Sequence, residues 1–269
     1  MDRASLTRMW SRTTGLGASE RESILTIQMN EQELRRVDPR DRLDAHLRRW
    51  LGAVPVVGEA RMVVHPGRDE PGWDGIVRPV QGVIGPEGGV LSVSPRLAGA
   101  FAGVDPAEVF AVAAGRDGSR QLSDLLGMHV AYGMPVFRWA ESAVTLPEVG
   151  TWVEADHPRI PAWLRPFNGG VLVAFDRAGR AMAGVGLKRH NALAREIAVG
   201  TDMGYRGRGL ATKLVAQAAR TILGAGEVPI YQHGSDNPAS ARVAEATGFP
   251  DRGWRMLEIH PDRSGAIRG

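Results

Sequence analysis

A loop rich in glycine and arginine, residues 205–211 (YRGRGLA), separates a strand-like run from a long amphipathic helix in the C-terminal half of the chain. The run before it covers residues 196–201 (EIAVGT), and the helical pattern continues over residues 209–223. The first turn of a helix has unpaired backbone N–H groups and about half a positive charge. A strand that leads through such a loop into a helix therefore predicts an α/β fold with an anion site at the start of the helix.

The composition of this loop suits a pyrophosphate. Gly207 and Gly209 allow the backbone to approach a phosphate closely, and Arg206 and Arg208 can add charge-assisted hydrogen bonds. The residues predicted to form the cradle are Arg206, Gly207, Arg208, Gly209, Leu210 and Ala211. A glycine-rich turn with exposed arginines is the alternative that the loop alone leaves open.

Two common phosphate loops fit this sequence poorly. A P-loop has Lys-Ser/Thr after its second glycine, whereas Gly209 is followed by Leu210. A dinucleotide fingerprint has G-x-G-x-x-G/A in the first β-α unit, whereas here the pattern runs into Thr212 after hairpins that look antiparallel. A protein that binds ATP or NAD is therefore the weaker alternative.

The C-terminal half has a regular order of predicted elements, β-β-β-α-β-α followed by a last strand. The first two strand patterns flank a hairpin turn, and the third leads into the glycine-arginine loop. The predicted strands cover residues 170–176, 181–189, 196–201, 228–232 and 255–259, and the second helix covers residues 237–247.

The N-terminal part mixes helix and strand patterns. Residues 31–51 form an amphipathic helical pattern, and Asp105-Pro106 is a cap and first-turn proline for a helix over residues 105–127. Strand-like runs cover residues 60–64, 75–80, 89–94 and 134–139. A proline-rich, loop-like stretch at residues 145–167 places a boundary near residue 140. We therefore expect an N-terminal α+β segment at residues 1–140 and a second domain at residues 141–269.

Three motifs of the second domain resemble those of the GNAT superfamily of acyl-CoA-dependent N-acyltransferases. The first is Arg206-x-x-Gly209-x-Ala211, the second is the strand at residues 196–201 that runs into it, and the third begins at Asn237 and closes with Gly248-Phe249. The resemblance covers about residues 165–255. It implies a mixed, mostly antiparallel sheet flanked by helices, here preceded by the N-terminal α+β segment.

The resemblance also implies how the donor, acetyl-CoA, is bound. Backbone groups of Val199 and Thr201 would hold the pantetheine arm like an added strand. Residues 206–211 would hold the pyrophosphate, and Asn237 would contact the pantetheine end. The thioester would then lie between Gly200 and residues 231–233.

The reaction needs a group that removes a proton from the amine before or during its attack on the thioester. Glu196 is the candidate base, because it precedes the strand and shares a face with Ala198 and Gly200. The structural alternative is a strand-end glutamate paired with Arg195 or Arg189. A backbone N–H near Val199 is the candidate donor to the developing oxyanion.

The leaving thiolate has no obvious proton donor. The resemblance implies a tyrosine in the second helix, and this position is Ala244. His233, just beyond the fifth strand, is the substitute candidate, and Tyr231 and Ser240 are weaker ones. Trp152, Trp163 and Phe167 are candidates for lining an acceptor pocket or for ordinary core packing.

The amino-acid composition excludes or disfavours several classes of protein function. The chain has no cysteine, which excludes disulfides, thiolate metal sites and an acyl-cysteine intermediate. A net charge of +3 without a lysine- or arginine-rich run argues against nucleic-acid binding. No apolar run or signal-like N-terminus suggests a membrane, so we expect a cytoplasmic protein without a metal site.

The sequence thus predicts an enzyme, an N-acetyltransferase that moves an acetyl group from acetyl-CoA to a primary amine by direct attack. The acceptor is a small-molecule or peptide amine, and a homodimer is compatible with the sequence. The alternative is an acyl-CoA-binding sensor or regulatory module with little catalysis, which Ala244 favours.

Overall fold

A computed structural model of the chain describes residues 38–262, which form five α-helices around one sheet. The helices are α1 (Pro39–Leu51), α2 (Pro106–Ala114), α3 (Gly118–Leu126), α4 (Leu210–Gly224) and α5 (Pro238–Ala246). The strands are β1 (Glu59–Val64), β2 (Val80–Gly85), β3 (Gly88–Val93), β4 (Val130–Gly133), β5 (Val136–Trp139), β6 (Thr151–Val153), β7 (Val171–Phe175), β8 (Ala181–Asn191), β9 (Ala194–Thr201), β10 (Val228–His233) and β11 (Arg255–Pro261).

The sheet is mixed and mostly antiparallel. Its strand order is β1-β3-β2-β11-β5-β10-β9-β8-β7-β6, with β4 paired to β11 outside this path. Among the described strands, only the β1–β3 and β9–β10 pairs are parallel. The predicted fold class is therefore confirmed, as is the order of elements from β7 to β11.

Side-chain caps fix where several helices begin. Asp38 accepts a hydrogen bond from the backbone N–H of Arg40 at 2.7 Å, and Pro39 fills the first turn of α1. The predicted helix over residues 31–51 thus begins at Pro39, and residues 31–37 lie outside the described part of the chain. Asp105 caps α2 in the same way, with a distance of 2.9 Å to the N–H of Ala107.

Two predictions for the N-terminal part are wrong in detail. Residues 105–127 form two helices, because α2 ends before Gly115 and α3 begins at Gly118. Residues 75–79 are not a strand, because Arg78 turns back to Asp74 and Pro79 has no N–H for a ladder. The strand begins instead at Val80 and continues to Gly85.

The sheet has one core on each face near its centre. On one face, Ile197 and Tyr231 pack against Leu214 of α4. On the other face, the apolar side of α1 packs against β10 and β11. The buried side chains of this second cluster include Leu43, Leu47, Trp50, Val228, Ile230 and Trp254. Both faces of β9 and β10 are therefore covered, each by different helices.

Strands from both sides of the predicted boundary at residue 140 belong to the same sheet. β5 ends at Trp139, yet it lies between β10 and β11 and pairs with both. Trp50, from the predicted N-terminal segment, shares a core cluster with Ile230. The division into residues 1–140 and 141–269 stays a prediction, and the strand that it would cut off holds the centre of the sheet.

Candidate functional site

A cleft opens where β9 and β10 separate. The two strands pair in parallel from Ala194 and Val228 to Ile197 and Tyr231, and pairing stops there. β9 nevertheless continues to Thr201, paired only with β8 on its other side. The free edge of β9 therefore borders a cleft of about 730 Å³. Its other walls come from residues 205–212 and from α5.

All the residues predicted to bind the donor line this one cleft. They are Val199, Thr201, Arg206, Gly207, Arg208, Gly209, Leu210, Ala211 and Asn237. Gly200, Tyr231, Ser240 and Arg242 line it as well. Arg242 of α5 is a positively charged lining residue that was not predicted from the sequence.

The loop reaches α4 through two left-handed glycines. Gly207 has φ +75° and Gly209, the residue before the first turn of α4, has φ +71°. A side chain at either position would meet open space, so glycine is needed there for its backbone conformation rather than to avoid a clash. The two turns aim the start of α4, with its positive end, into the cleft.

The two arginines of the loop carry charge that nothing in the described residues neutralises. Arg206 donates through Nε to the carbonyl of Thr201 at 3.4 Å, and Arg208 donates to the carbonyl of Gly204 at 3.3 Å. Both are exposed, and neither forms an ion pair within residues 38–262. The cleft is therefore positively charged where the helix begins.

Polar groups from β10 and α5 form the opposite wall. Asn237 caps α5, because its Oδ1 accepts from the N–H of Ser240 at 3.0 Å. The hydroxyls of Tyr231 and Ser240 are 2.8 Å apart, and both residues line the cleft. Burial raises the pKa of Tyr231, so its hydroxyl keeps its proton at neutral pH. Ala244 is fully buried.

His233 lies at the end of β10 but is not among the residues that line the cleft. Its Nδ1 is 2.8 Å from the carbonyl of Gly234, and its buried Nε2 has no partner in the described part of the chain. The ring lies 6.3 Å from that of Tyr231. The structure therefore places Tyr231, rather than His233, among the residues that line the cleft.

Glu196 lies on the opposite face of β9, beside the same opening. It is opposite Ile230, one residue before the β9–β10 pairing ends. Its carboxylate forms an ion pair with Lys188, lies 3.1 Å from Nε2 of His190 and accepts from Nε2 of Gln232 at 3.1 Å. Arg189 and Arg195 pair with Glu227 instead, so neither is the partner that the sequence suggested.

The surroundings of Glu196 hold it in the ionised form. Burial alone would raise the pKa of this carboxyl, but the Lys188 ammonium and the contact with His190 outweigh burial and lower it. The carboxylate is only 4% exposed. Such a group is a strong acceptor of hydrogen bonds and a fixed negative charge, but it takes up a proton reluctantly.

Aromatic side chains cover this face of the sheet. Trp163 lies over Gly200, where an added Cβ would come within 2.8 Å of its ring. Phe167 contacts Trp163 edge-on at 6.1 Å and stacks on Trp73 at 5.3 Å. Trp152 is on β6, the edge strand, away from the opening. Of the three predicted aromatics, the structure places Trp163 over Gly200 at the opening and Phe167 against Trp163.

Within residues 38–262, no group of three or more His, Cys, Asp or Glu side chains is arranged to hold a metal ion. In the same part of the chain, no helix is long and apolar enough to cross a membrane.

Comparison with known proteins adds a family match. The model of the acetyltransferase (GNAT) family matches residues 136–249. No curated protein matches the chain.

Several solved structures are similar in fold. A putative acetyltransferase of the GNAT family from Novosphingobium aromaticivorans is 23% identical, with a TM-score of 0.42, over 49% of this chain and 66% of that one. A GCN5-related N-acetyltransferase-like protein from Streptococcus suis is 18% identical, with a TM-score of 0.40, over 54% of this chain and 69% of the other. A GCN5-related N-acetyltransferase from Kribbella flavida is 16% identical, with a TM-score of 0.41, over 86% of this chain and 99% of that one.

The chain spans about two thirds of the length of the first two of these structures. The family match is independent of them. It begins at β5, includes the loop and the cleft, and ends at Phe249 after α5. The residues that match the acetyltransferase (GNAT) family model therefore include both the loop and the cleft.

Proposed function

We propose that the protein is an N-acetyltransferase that moves an acetyl group from acetyl-CoA to a primary amine. The observation that carries this proposal is the cleft at the β9–β10 opening, which combines a strand edge with a positively charged helix start. A GNAT-family domain supports acyl transfer in general, and the acetyl group and the amine are the finer part of the proposal.

The donor fits this cleft from end to end. The pyrophosphate would lie on residues 206–211, between the guanidinium groups of Arg206 and Arg208. The pantetheine arm would follow the free edge of β9, where the backbone of Val199 and Thr201 has no strand partner on that side. Asn237 would lie beside the end of the arm. The thioester then reaches the opening, beside Gly200 and Tyr231.

The two faces of the sheet supply the two halves of the reaction. The donor occupies the face of α4 and α5, and the Glu196 group lies on the face of α1. The neutral amine attacks the carbonyl carbon, a C–N bond forms, and the C–S bond breaks. One N–H proton passes to the group centred on Glu196, and the CoA thiolate takes up a proton. A backbone N–H near Val199 would hold the oxyanion.

For the thiolate proton, the geometry favours Tyr231 over His233. Tyr231 is among the residues that line the cleft, and its hydroxyl is joined to that of Ser240, which lines the cleft as well. His233 has its Nδ1 bound to a carbonyl and its Nε2 buried. We therefore assign the donor role to Tyr231 and keep His233 as the alternative to be tested.

An acyl-CoA-binding module with little catalysis is the second candidate. It is favoured by Ala244, whose methyl group is fully buried and offers no proton donor. Two measurements on the full chain separate the candidates. Calorimetry gives the affinity for acetyl-CoA, and release of free thiol in the presence of a panel of primary amines gives turnover. Amine-dependent thiol release supports the enzyme. Tight binding without such release supports the module, and absence of binding contradicts both.

A further inference from the structure

A second cavity lies on the α1 face of the sheet, next to the Glu196 group. Its volume is about 250 Å³, and it is enclosed by the end of α1, residues 65–81 and the end of β8. Trp50, Trp73 and His190 line it. Trp73 also lies over the Lys188 ammonium, 5.6 Å from the ring centroid, and so connects the cavity to the Glu196 group.

A buried guanidinium without a counterion faces this cavity. Arg68 is 7% exposed and donates through Nη2 to the carbonyl of Trp50 at 2.9 Å. Its buried Nε has no hydrogen-bond partner among residues 38–262, and no carboxylate in that range forms an ion pair with it. A buried charge is costly unless it is paired. An anion in the cavity would supply the missing partner.

Glu258, the acid whose charge acts on Arg68, is already engaged with another arginine. Asp74 and Glu258 form ion pairs with Arg78 at 2.7 and 3.3 Å. Glu258 also accepts from Gln81 at 3.0 Å, and it acts on Arg68 only at longer range. The other charged or titratable residues that line the cavity are Arg49, His65, Glu70 and His190. Arg49 is exposed, so Arg68 is the buried arginine of the cavity that forms no ion pair within residues 38–262.

His190 lines the other end of the cavity and is held in place. Its ring packs against Trp50, with centroids 4.3 Å apart, and its Nε2 lies 3.1 Å from Oε2 of Glu196. Since Glu196 is ionised, the contact requires the N–H of His190 at Nε2. The lone pair is then at Nδ1. A carboxylate that orients an imidazole in this way leaves its other nitrogen ready to accept a proton.

We propose that this cavity binds the amine acceptor as an amine that also carries a carboxylate, with the carboxylate on Arg68 and the amine at Nδ1 of His190. The proposal rests on the proposed function and names its acceptor class. The neutral amine loses one N–H proton to His190 as its nitrogen forms the amide bond, and the CoA thiolate that leaves is protonated from the cleft side. Glu196 positions His190, which is the catalytic residue, and His190 releases its proton to solvent afterwards.

The first test compares acceptors in matched pairs. Thiol release from acetyl-CoA is measured for the full chain with L-amino acids, β-alanine and γ-aminobutyrate, and with the amide of each. We expect the best amino acid to exceed its amide in kcat/KM by about 10- to 100-fold, as for the loss of a charge-assisted hydrogen bond. Amides that react as well as the acids would overturn the acceptor class while leaving the acetyltransferase intact.

The second test removes the guanidinium. Arg68→Met should raise KM for the best amino acid by about 10- to 100-fold and so remove the preference for the acid over its amide. Arg68→Lys should recover part of the preference. Arg120→Met is the control, because Arg120 is exposed on α3, far from the cavity. Circular dichroism and affinity for acetyl-CoA report whether each variant is folded. Equal losses for acid and amide in folded Arg68→Met would overturn the assignment.

The third test concerns His190. His190→Gln keeps an N–H that reaches Glu196 but has no basic nitrogen, so kcat should fall by about 10²- to 10⁴-fold with acetyl-CoA affinity unchanged. The acidic limb of the kcat/KM profile should also disappear. The charged and titratable groups around the ring and in the cavity are Glu196, Lys188, His46, Arg49, His65, Arg68, Glu70 and Arg78. A folded variant with an unchanged profile would overturn the role of His190.

Failure of the proposed function gives a different result. If acetyl-CoA binds but no amine releases thiol, the acetyltransferase proposal fails. The carboxylate site is then decided by thermal shift of the full chain with the same amino acids and amides. Stabilisation by the acids that is lost in Arg68→Met supports the site, and no stabilisation by any acid overturns it.

Discussion

At the scale of single residues, the site depends on one buried carboxylate and its three contacts. Glu196 is bound by Lys188, His190 and Gln232, which come from β8 and β10. The resulting negative charge is fixed, because these contacts lower the pKa of the carboxyl. The charge can orient His190 and stabilise a positive charge on it, whereas Lys188 limits direct protonation of the carboxylate.

Glu196→Gln tests this carboxylate. The variant keeps the size of the side chain and removes the charge, so we expect kcat to fall by about 10²- to 10⁴-fold while calorimetry shows acetyl-CoA affinity nearly unchanged. The control is Glu148→Gln, because Glu148 is an exposed acid that pairs with Arg220 of α4. A kcat within about threefold of wild type would remove Glu196 from the mechanism.

Tyr231→Phe and His233→Asn compare the two candidates for protonating the thiolate. We expect Tyr231→Phe to lower kcat by about 10²-fold when free thiol release is measured, because Tyr231 lines the cleft and its hydroxyl contacts that of Ser240. His233→Asn should stay close to wild type. A larger loss in folded His233→Asn than in Tyr231→Phe would return the role to His233.

At the scale of elements, a strand edge and a helix start meet at the cleft. β9 loses its partner after Ile197, and α4 begins at Leu210 after two left-handed glycines. The edge offers backbone groups to an extended arm, and the helix start offers N–H groups to phosphates. Because both features are backbone features, small changes of conformation or charge in the loop should affect donor binding more than folding.

Gly209→Asp tests the loop. It places a negative charge where the phosphates should lie, so calorimetry should show no acetyl-CoA binding while circular dichroism shows an intact fold. Gly209→Asn tolerates the left-handed conformation without the charge and should keep weaker binding. Gly103→Asp is the matched control, since Gly103 has φ +76° and the same open space. Wild-type affinity in folded Gly209→Asp would contradict the pyrophosphate assignment.

At the scale of the whole molecule, the N-terminal part completes the sheet and the second core. β5 fills the place between β10 and β11, and α1 covers that face with Leu47 and Trp50. The cavity with Arg68 also belongs to this part of the chain. The predicted division at residue 140 therefore separates the donor cleft from β5 and α1, which complete its sheet and second core, and from the cavity with Arg68.

A fragment of residues 141–269 tests this dependence. It lacks β5, which leaves one edge of β10 unpaired, and without β2, β4 and β5 the strand β11 has no partner. It also lacks α1, which exposes Ile230 and Trp254. We expect the fragment to be insoluble or unfolded by circular dichroism, in contrast to the full chain. A soluble fragment that binds acetyl-CoA with full-chain affinity would show that the division at residue 140 is right.

The dependence of stability on pH reports on the same core. Burial lowers the pKa of His46 from 6.5 to about 3, so the folded state keeps this imidazole neutral. The unfolded chain binds the proton below about pH 6.5. Stability is therefore complete above this pH and falls on acidification toward pH 3, by up to about 1.4 kcal/mol per pH unit for one group.

Urea unfolding at pH 7.5 and pH 5.0 measures this effect. The free energy of unfolding should fall by about 1 to 2 kcal/mol from His46 alone. His129→Gln should leave the difference unchanged because His129 is exposed. A folded His46→Met variant with the same pH dependence as wild type would contradict the assignment to His46.

The sequence by itself determined the local features of the donor site. The hairpin of β7 and β8, the strand β9 and the start of α4 follow from period, turn residues and glycines that lie within a few residues of one another. The loop at residues 206–211 is predictable for the same reason, because a phosphate site at a helix start is made by contiguous backbone. Local sequence also placed Glu196 at the strand that leads into the loop.

Only the tertiary structure decided which distant side chains meet. Trp50 packs against His190, and His190 contacts Glu196, although α1 and β8 are far apart in the chain. The place of β5 between β10 and β11 is likewise a long-range pairing that strand period cannot reveal. Such contacts also decide whether a histidine is solvated or held by a carboxylate, and whether an arginine in a cavity has a counterion. Burial and counterions are supplied by residues that are neighbours in the fold, and these are often distant in the sequence.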